Sequence, residues 1–161
     1  MRRTIQIAAL AGVSVLAVGL AHAQHQGHGT HQPAMKPPAD TREFVAFPPE
    51  LVEHTLANMR DHLFALQEIN AALANGSNDK AAKIAEERLG MTSLKLHGAH
   101  EVAKYMPQGM QDAGSAMHRA ASRFAIEAQN AAVTGDLKPA LGALSEVING
   151  CVGCHAGYRL R

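Results

Sequence analysis

Cys151-Val152-Gly153-Cys154-His155-Ala156-Gly157-Tyr158-Arg159 is the stretch that decides the fold, and it lies close to the C-terminus. On a helix, positions i, i+3 and i+4 share one face, so Cys151, Cys154 and His155 project in the same direction. Two thiols in this arrangement can add to the vinyl groups of a haem, and the neighbouring imidazole can bind the iron as its proximal ligand. The motif therefore predicts one covalently attached c-type haem per chain on a C-terminal helix.

Three other interpretations of a Cys-x-x-Cys pair are a zinc knuckle, a redox dithiol and a structural disulfide. The chain has only two cysteines, whereas a closed Cys-rich zinc site needs four ligands. A redox dithiol is typical of a βαβ setting, and no strand-like run lies near the motif. The histidine that follows the second cysteine favours haem attachment over all three.

Residues 1–23 have the pattern of a secretory signal peptide. Arg2 and Arg3 form a basic start, residues 7–20 are apolar, and Ala21-His22-Ala23 is an A-x-A cleavage site. The apolar run is short for a membrane span, so we expect cleavage rather than a stable membrane anchor. Haem is attached to such motifs outside the cytoplasmic membrane, so both features predict a periplasmic protein.

Composition and charge exclude several classes of function. The precursor has a net charge of +1, and cleavage after residue 23 removes two arginines, which leaves −1. Such a balance gives no support to nucleic-acid binding or to a polybasic membrane surface. Few aromatic residues and an excess of alanine, leucine and methionine favour packed helices over a sheet. The chain shows no catalytic acid–base pair or activated nucleophile, so we do not expect an enzyme.

Residues 24–46 are predicted to form a flexible N-terminal tail. They contain His25, His28 and His31 among glutamine and glycine, followed by several prolines and little apolar material. Three histidines spaced three apart can bind copper, nickel or zinc. A periplasmic metal-handling protein is therefore an alternative to be tested, with a solvated leader as the plainer explanation.

Residues 47–161 are predicted to form four amphipathic helices, A to D, with apolar residues stepping by three and four. Helix A begins near Pro48-Pro49-Glu50 and ends at Asn75-Gly76-Ser77. Helix B continues to Pro107, with a weak point or kink at Gly90. Helix C ends near Gly135 and Asp136 caps helix D. The apolar stripe of helix A consists of Val52, Leu56, Met59, Leu63, Leu66, Ile69 and Leu73. Four such helices with short connections predict an all-α, antiparallel four-helix bundle that encloses a haem slot.

A four-helix bundle with this motif on its last helix resembles the class II cytochromes c, the cytochrome c prime superfamily. The ending Cys-Val-Gly-Cys-His-Ala-Gly-Tyr-Arg is similar to that family's Cys-x-x-Cys-His-x-x-Tyr-Arg, and the resemblance covers residues 47–161. It implies a periplasmic electron carrier that docks with redox partner proteins. The five-coordinate branch of the family implies an alternative, a protein that binds nitric oxide or carbon monoxide. Members often pair through their first two helices, so a homodimer is compatible with the resemblance.

The resemblance also implies that a residue of helix A faces the iron opposite His155. Met59 is the candidate distal ligand, because residues 55–61 resemble the Met-ligated branch, although a methionine on an apolar stripe is also an ordinary core residue. Phe64 is the rival: it would cover an open site if Arg60 took the place of the basic residue that precedes the distal position. His54 and His62 could ligate instead, but both lie off the predicted stripe and are expected at the surface.

By the same resemblance, Arg159 is expected near the proximal histidine or a haem propionate, and Arg60 is a candidate partner of a propionate. The plainer explanation is a favourable interaction with the helix dipole for Arg159 and a surface position for Arg60. Tyr158 is expected to pack beside the haem. The methionines of helix C are expected in the core, and the remaining histidines are expected to be solvated or to bridge helices; these residues are Met106, Met110, Met117, His97, His100 and His118.

Overall fold

The structure of the protein, a computed structural model, describes residues 39–160. The predicted signal peptide and the three tail histidines lie outside the described residues. The described part is mostly helical, which confirms the all-α prediction. Its elements in chain order are β1 Glu43–Phe44, α1 Pro49–Ala74, α2 Asn78–Arg88, a 3₁₀ turn Met91–Leu94, α3 Ala99–Ala103, α4 Gln108–Thr134, α5 Lys138–Gly157 and β2 Tyr158–Arg159.

The helix ends lie where local sequence places them. Pro49 occupies the first turn of α1, where a missing N–H costs nothing. Gly76 and Gly135 adopt positive φ angles of 69° and 75° directly after α1 and α4, a conformation that suits glycine. The carboxylate of Asp136 accepts a hydrogen bond of 2.9 Å from the backbone N–H of Lys138 at the start of α5. These boundaries confirm the predicted ends of helices A, C and D.

Helix B is shorter than predicted. Its helical pattern stops at Arg88, where the N–H of Gly90 bonds the carbonyl of Ala85 over five residues instead of four. The chain then forms the 3₁₀ turn, passes through Gly98 at a φ of +60° and forms the short helix α3. Gly98 lies against the His54 ring. The expected kink at Gly90 is thus a true helix end, followed by two short elements.

The main hydrophobic core joins α1, α2, α4 and α5, with α4 packed against both α2 and α5 and α1 packed against α2. Phe124, Ile69, Leu89 and Val147 are fully buried within it. Many of its other members are alanines, which let the helix axes approach closely. A smaller cluster of Val45, Phe47, Val102 and Met110 lies beside Cys154 and Tyr158. No helix within residues 39–160 is both long and apolar enough to cross a bilayer.

Residues 39–46, which the sequence assigned to the tail, pack against the end of α5. β1 pairs in parallel with β2, with Glu43 opposite Tyr158 and Phe44 opposite Arg159. The N–H of Val45 donates to the carbonyl of Arg159 at 2.9 Å, and the Val45 side chain is buried. This short ribbon brings the segment before α1 next to the C-terminal end of α5, the helix that carries Cys151, Cys154 and His155.

Candidate functional site

A cavity of about 490 Å³ is lined mainly by α1, α4, α5, β2 and the segment that contains α3. Cys151, Cys154 and His155 line it from α5, and Met59 lines it from α1. Three further methionines, Met106, Met110 and Met117, complete much of its apolar wall. The structure thus places the predicted attachment residues and the candidate distal ligand around one cavity.

Both cysteines are free thiols and are half-buried. Burial raises the pKa of each thiol above its ordinary value, so both are protonated at pH 7. Cys151 packs against the main core and Cys154 against the smaller cluster, so the pair spans the two. His155 follows on the same helix and its side chain is exposed.

Close packing of α4 and α5 fixes this edge of the cavity. A Cβ on Gly150 would lie 2.8 Å from the Cβ of Met117, which is inside the closest normal approach. A Cβ on Gly109 of α4 would meet only the hydroxyl at the far end of the Tyr158 side chain, which can move. The close contact with Met117 therefore favours glycine at position 150, and Tyr158 lies at the cavity wall.

The face of α1 that turns inward differs from the predicted stripe. Leu63 is 69% exposed, whereas His62 beside it is only 7% exposed and lines the cavity. Thr55, two turns earlier, is also buried and lines the cavity. The prediction that His62 lies at the surface is wrong, because the inward stripe passes through the histidine instead of the neighbouring leucine.

Phe64 and Arg60 lie elsewhere than their predicted roles require. Phe64 is 66% exposed and is absent from the residues that line the cavity. Arg60 is exposed and is likewise absent from that lining. The arrangement in which Phe64 covers the iron is therefore not formed. Met59 is half-buried, as expected for a side chain that borders the cavity.

Three buried histidines, His62, His97 and His118, form a cluster beside the cavity, and all three contribute to its lining. Their ring centroids are 4.6 Å apart for His62 and His97, 5.5 Å for His97 and His118, and 6.1 Å for His62 and His118. His97 and His118 were predicted to be solvated or to bridge helices, and of these two His118 fits the second description. His118 is on α4, and its Nδ1 lies 2.7 Å from the carbonyl oxygen of Leu89 at the end of α2.

Burial keeps the cluster uncharged. It lowers the pKa of His62 to about 4, with smaller contributions from His97 and His118. Burial is also the main cause that lowers the pKa of His97 and of His118. The Nε2 atoms of His62 and His97 are buried and have no hydrogen-bond partner. This wall of the cavity therefore presents uncharged imidazole rings, and two of these rings have a nitrogen atom without a hydrogen-bond partner.

His54 and His100 differ from this cluster. His54 is half-buried, and its Nε2 lies 3.0 Å from the carbonyl oxygen of His97. The amide of Asn58 donates to the same carbonyl at 3.0 Å. His100 is exposed, as predicted. His54 therefore holds the loop before α3 in place and is not among the residues that line the cavity.

Two arginines reach the cavity from the β1–β2 ribbon, and the sequence predicted only one of them. Arg159 lines it as expected, with its guanidinium 5.3 Å from the centre of the Phe44 ring. Arg42 also lines it, and its Nη1 donates to the carbonyl of His155 at 3.4 Å. No sequence pattern indicated Arg42, because it precedes the first helix in a segment without hydrophobic periodicity.

No group of three or more His, Cys, Asp or Glu side chains within residues 39–160 is arranged to hold a metal ion by itself. The histidine cluster is therefore not a ready three-ligand metal site. The lining combines two thiols, one imidazole and one thioether with an otherwise largely apolar wall, and this set of donors would fit an iron held within an organic ring.

Comparisons with protein-family models, with curated proteins and with solved structures found no match to the chain. The likeness of its C-terminal motif to the class II cytochromes c therefore stays a prediction.

Proposed function

We propose that the protein is a periplasmic c-type cytochrome that carries single electrons. The observation that supports this most is the lining of the cavity, where Cys151, Cys154 and His155 on α5 meet Met59 on α1. Covalent attachment, proximal ligation and distal ligation each have a residue of the right chemistry at one largely apolar cavity. We also propose that α1, α2, α4 and α5 form an antiparallel four-helix bundle, of which α1, α4 and α5 line the cavity.

Each residue has a separate task in this proposal. The thiols of Cys151 and Cys154 would hold a haem through thioether bonds to its vinyl groups, and His155 would be an iron ligand. Met59 would supply a thioether ligand, which favours the ferrous state and raises the reduction potential. A haem held by these residues would supply one-electron redox chemistry between a donor and an acceptor protein. The apolar wall excludes water and limits the reorganisation that accompanies this charge change.

Mass spectrometry of the mature protein tests the attachment. In a host that matures c-type cytochromes, we expect the mass of the polypeptide plus one haem, and a colour that survives acid–acetone extraction. Replacing both Cys151 and Cys154 by alanine should abolish both signals. A single replacement should leave one thioether and hence the added mass. The bare polypeptide mass in the wild-type protein would refute the proposal.

Optical spectra separate electron transfer from gas binding on the same fold. With Met59 as ligand, the ferrous protein should give sharp, split visible bands and should resist carbon monoxide. Met59→Ala should then give the broad bands of a high-spin iron and should bind carbon monoxide. Met106→Ala, at another cavity-lining methionine, is the matched control and should leave the spectrum unchanged. We rank gas binding second, because Met59, which can ligate an iron, lines the cavity, whereas Phe64 does not.

Metal handling by the N-terminal histidines concerns residues outside the described range. Copper titration of the protein with and without residues 24–38 tests it directly. Binding that disappears with the segment would add a function to the electron carrier, and equal binding by both forms would exclude the segment as the site.

A further inference from the structure

Among the described residues, the charged side chains that line the cavity are all positive. Among the described residues that line it, Arg42 and Arg159 are the only members of the Asp, Glu, Lys and Arg group. The three clustered histidines of the same lining are held neutral by burial. A largely apolar cavity whose fixed charges are two guanidinium groups is suited to a ligand that is apolar over most of its surface and carries carboxylates at one end.

Both arginines are held by the same small ribbon. Arg159 belongs to β2 and stacks on Phe44 of β1, while Arg42 directly precedes β1. The bond from Arg42 to the carbonyl of His155 also ties this residue to the last turn of α5. The ribbon therefore places two guanidinium groups next to the proposed proximal ligand.

Asp40 is the carboxylate that the two arginines share in this structure. It bonds Arg42 Nη2 at 2.8 Å and Arg42 Nε at 2.9 Å, and it lies 3.6 Å from Arg159 Nε. The contacts with Arg42 lower the pKa of Asp40 to about 2, so it is ionised at neutral pH. The distance to Arg159 is too long for a hydrogen bond, and the buried Nε–H of Arg159 has no acceptor.

We propose that Arg42 and Arg159 form the carboxylate-binding end of the cavity, which holds the haem propionates, with Asp40 as a built-in competing carboxylate. This inference rests on the proposed function, since it requires haem in the cavity. It assigns to Arg42 the role that the resemblance gave to Arg60, and it gives the orphaned N–H of Arg159 an acceptor.

The proposal predicts shifts of opposite sign in the reduction potential. Ferric haem carries one more positive charge than ferrous haem, so a nearby cation favours reduction and a nearby anion opposes it. Arg42→Gln should therefore lower the midpoint potential, and Asp40→Asn should raise it. Both shifts should shrink as salt is added, because Arg42 and Asp40 are partly exposed to solvent.

The experiment is a redox titration of the haem-loaded full chain at low and high ionic strength. Arg42→Lys keeps the charge and should preserve most of the wild-type midpoint. Arg119→Gln removes an exposed arginine that is absent from the cavity lining and should cause no shift. Circular dichroism of each variant shows whether the fold is retained. Asp40→Asn changes the shape of the side chain very little, so this variant should fold even if another variant does not.

Two failures are distinguishable. Haem-loaded Arg42→Gln and Asp40→Asn proteins with unchanged midpoints, or with shifts of the same sign, would overturn this inference and leave the cytochrome proposal intact. A wild-type chain without an added haem mass would overturn both.

Discussion

The buried imidazole of His62 should make the stability of the protein depend on pH. Its pKa in the folded protein is lowered to about 4, mainly by burial and then by His97 and His118. In the unfolded chain an unperturbed histidine has a pKa of about 6.5. Between these values the unfolded state binds the extra proton, so the free energy of unfolding falls as the pH drops from about 6.5 towards 4.

The size of the effect follows from the two pKa values. Between pH 7 and pH 5, His62 alone should reduce the free energy of unfolding by about 2 kcal/mol. His97 and His118 act in the same direction, because their pKa values are also lowered. Asp61 and Arg88, which also act on His62, oppose each other in charge and form an ion pair. Replacing His62 should therefore remove part of the pH dependence and leave the rest.

Urea unfolding at pH 7, 6 and 5, followed by circular dichroism, measures how much His62 contributes to the pH dependence of the free energy of unfolding. His62→Leu has no titrating ring, so its loss of stability between pH 7 and pH 5 should be about 2 kcal/mol smaller than that of the wild type. His100→Leu is the matched control, because His100 is exposed, and it should keep the wild-type dependence. Asp61 is the carboxyl group coupled to His62, and the low pKa of Asp61 is due first to its hydrogen bond with Arg88, which all three proteins keep. Equal pH dependence in His62→Leu and the wild type would refute a buried, neutral His62.

Three further predictions concern packing and ligation. Gly150→Ala should lower the free energy of unfolding in urea by about 1–3 kcal/mol, because the new Cβ would collide with Met117. Gly142 has open space around it, so Gly142→Ala should stabilise the protein by about 0.5–1 kcal/mol. Equal effects of the two substitutions would contradict the close contact at Gly150. Phe124→Ala, at a fully buried core position, should cost about 3–5 kcal/mol in the same assay, and a loss under 1 kcal/mol would show that the site is not packed as described. Met59→Ala should turn a low-spin optical spectrum into a high-spin one, and an unchanged spectrum would remove Met59 as the ligand.

The helix ends were predictable because their causes are local. Pro49, Gly76 and Gly135 act through their own backbone geometry, which needs no tertiary information. The break after Arg88 was predicted only as a kink at Gly90, because glycine weakens a helix without determining whether the chain continues beyond it. The all-α class followed from the same local signals together with hydrophobic periodicity.

The inward face of α1 was mispredicted at one step because hydrophobic periodicity counts only apolar residues. Leu63 extended the apolar stripe and His62 did not, yet the structure buries the histidine and exposes the leucine. The packing partners of His62 are His97 and His118, which are distant in sequence. A cluster of polar residues that bury one another has no periodic signal in any single helix. The position of Arg42 at the cavity was not predicted for a related reason, since it depends on the pairing of β1 with β2.

The unsatisfied polar atoms of the described chain support a ligand-binding function for the cavity. Five buried side-chain polar atoms in residues 39–160 have no hydrogen-bond partner, and four of them belong to residues that line the cavity: Thr55 Oγ1, His62 Nε2, His97 Nε2 and Arg159 Nε. Each such atom costs about 1–3 kcal/mol, and folded proteins contain few of them. A cavity selected for stability alone would have apolar residues at these positions. Their concentration in the lining of the cavity, instead of elsewhere in the described chain, supports the proposal that this cavity binds a ligand with polar groups.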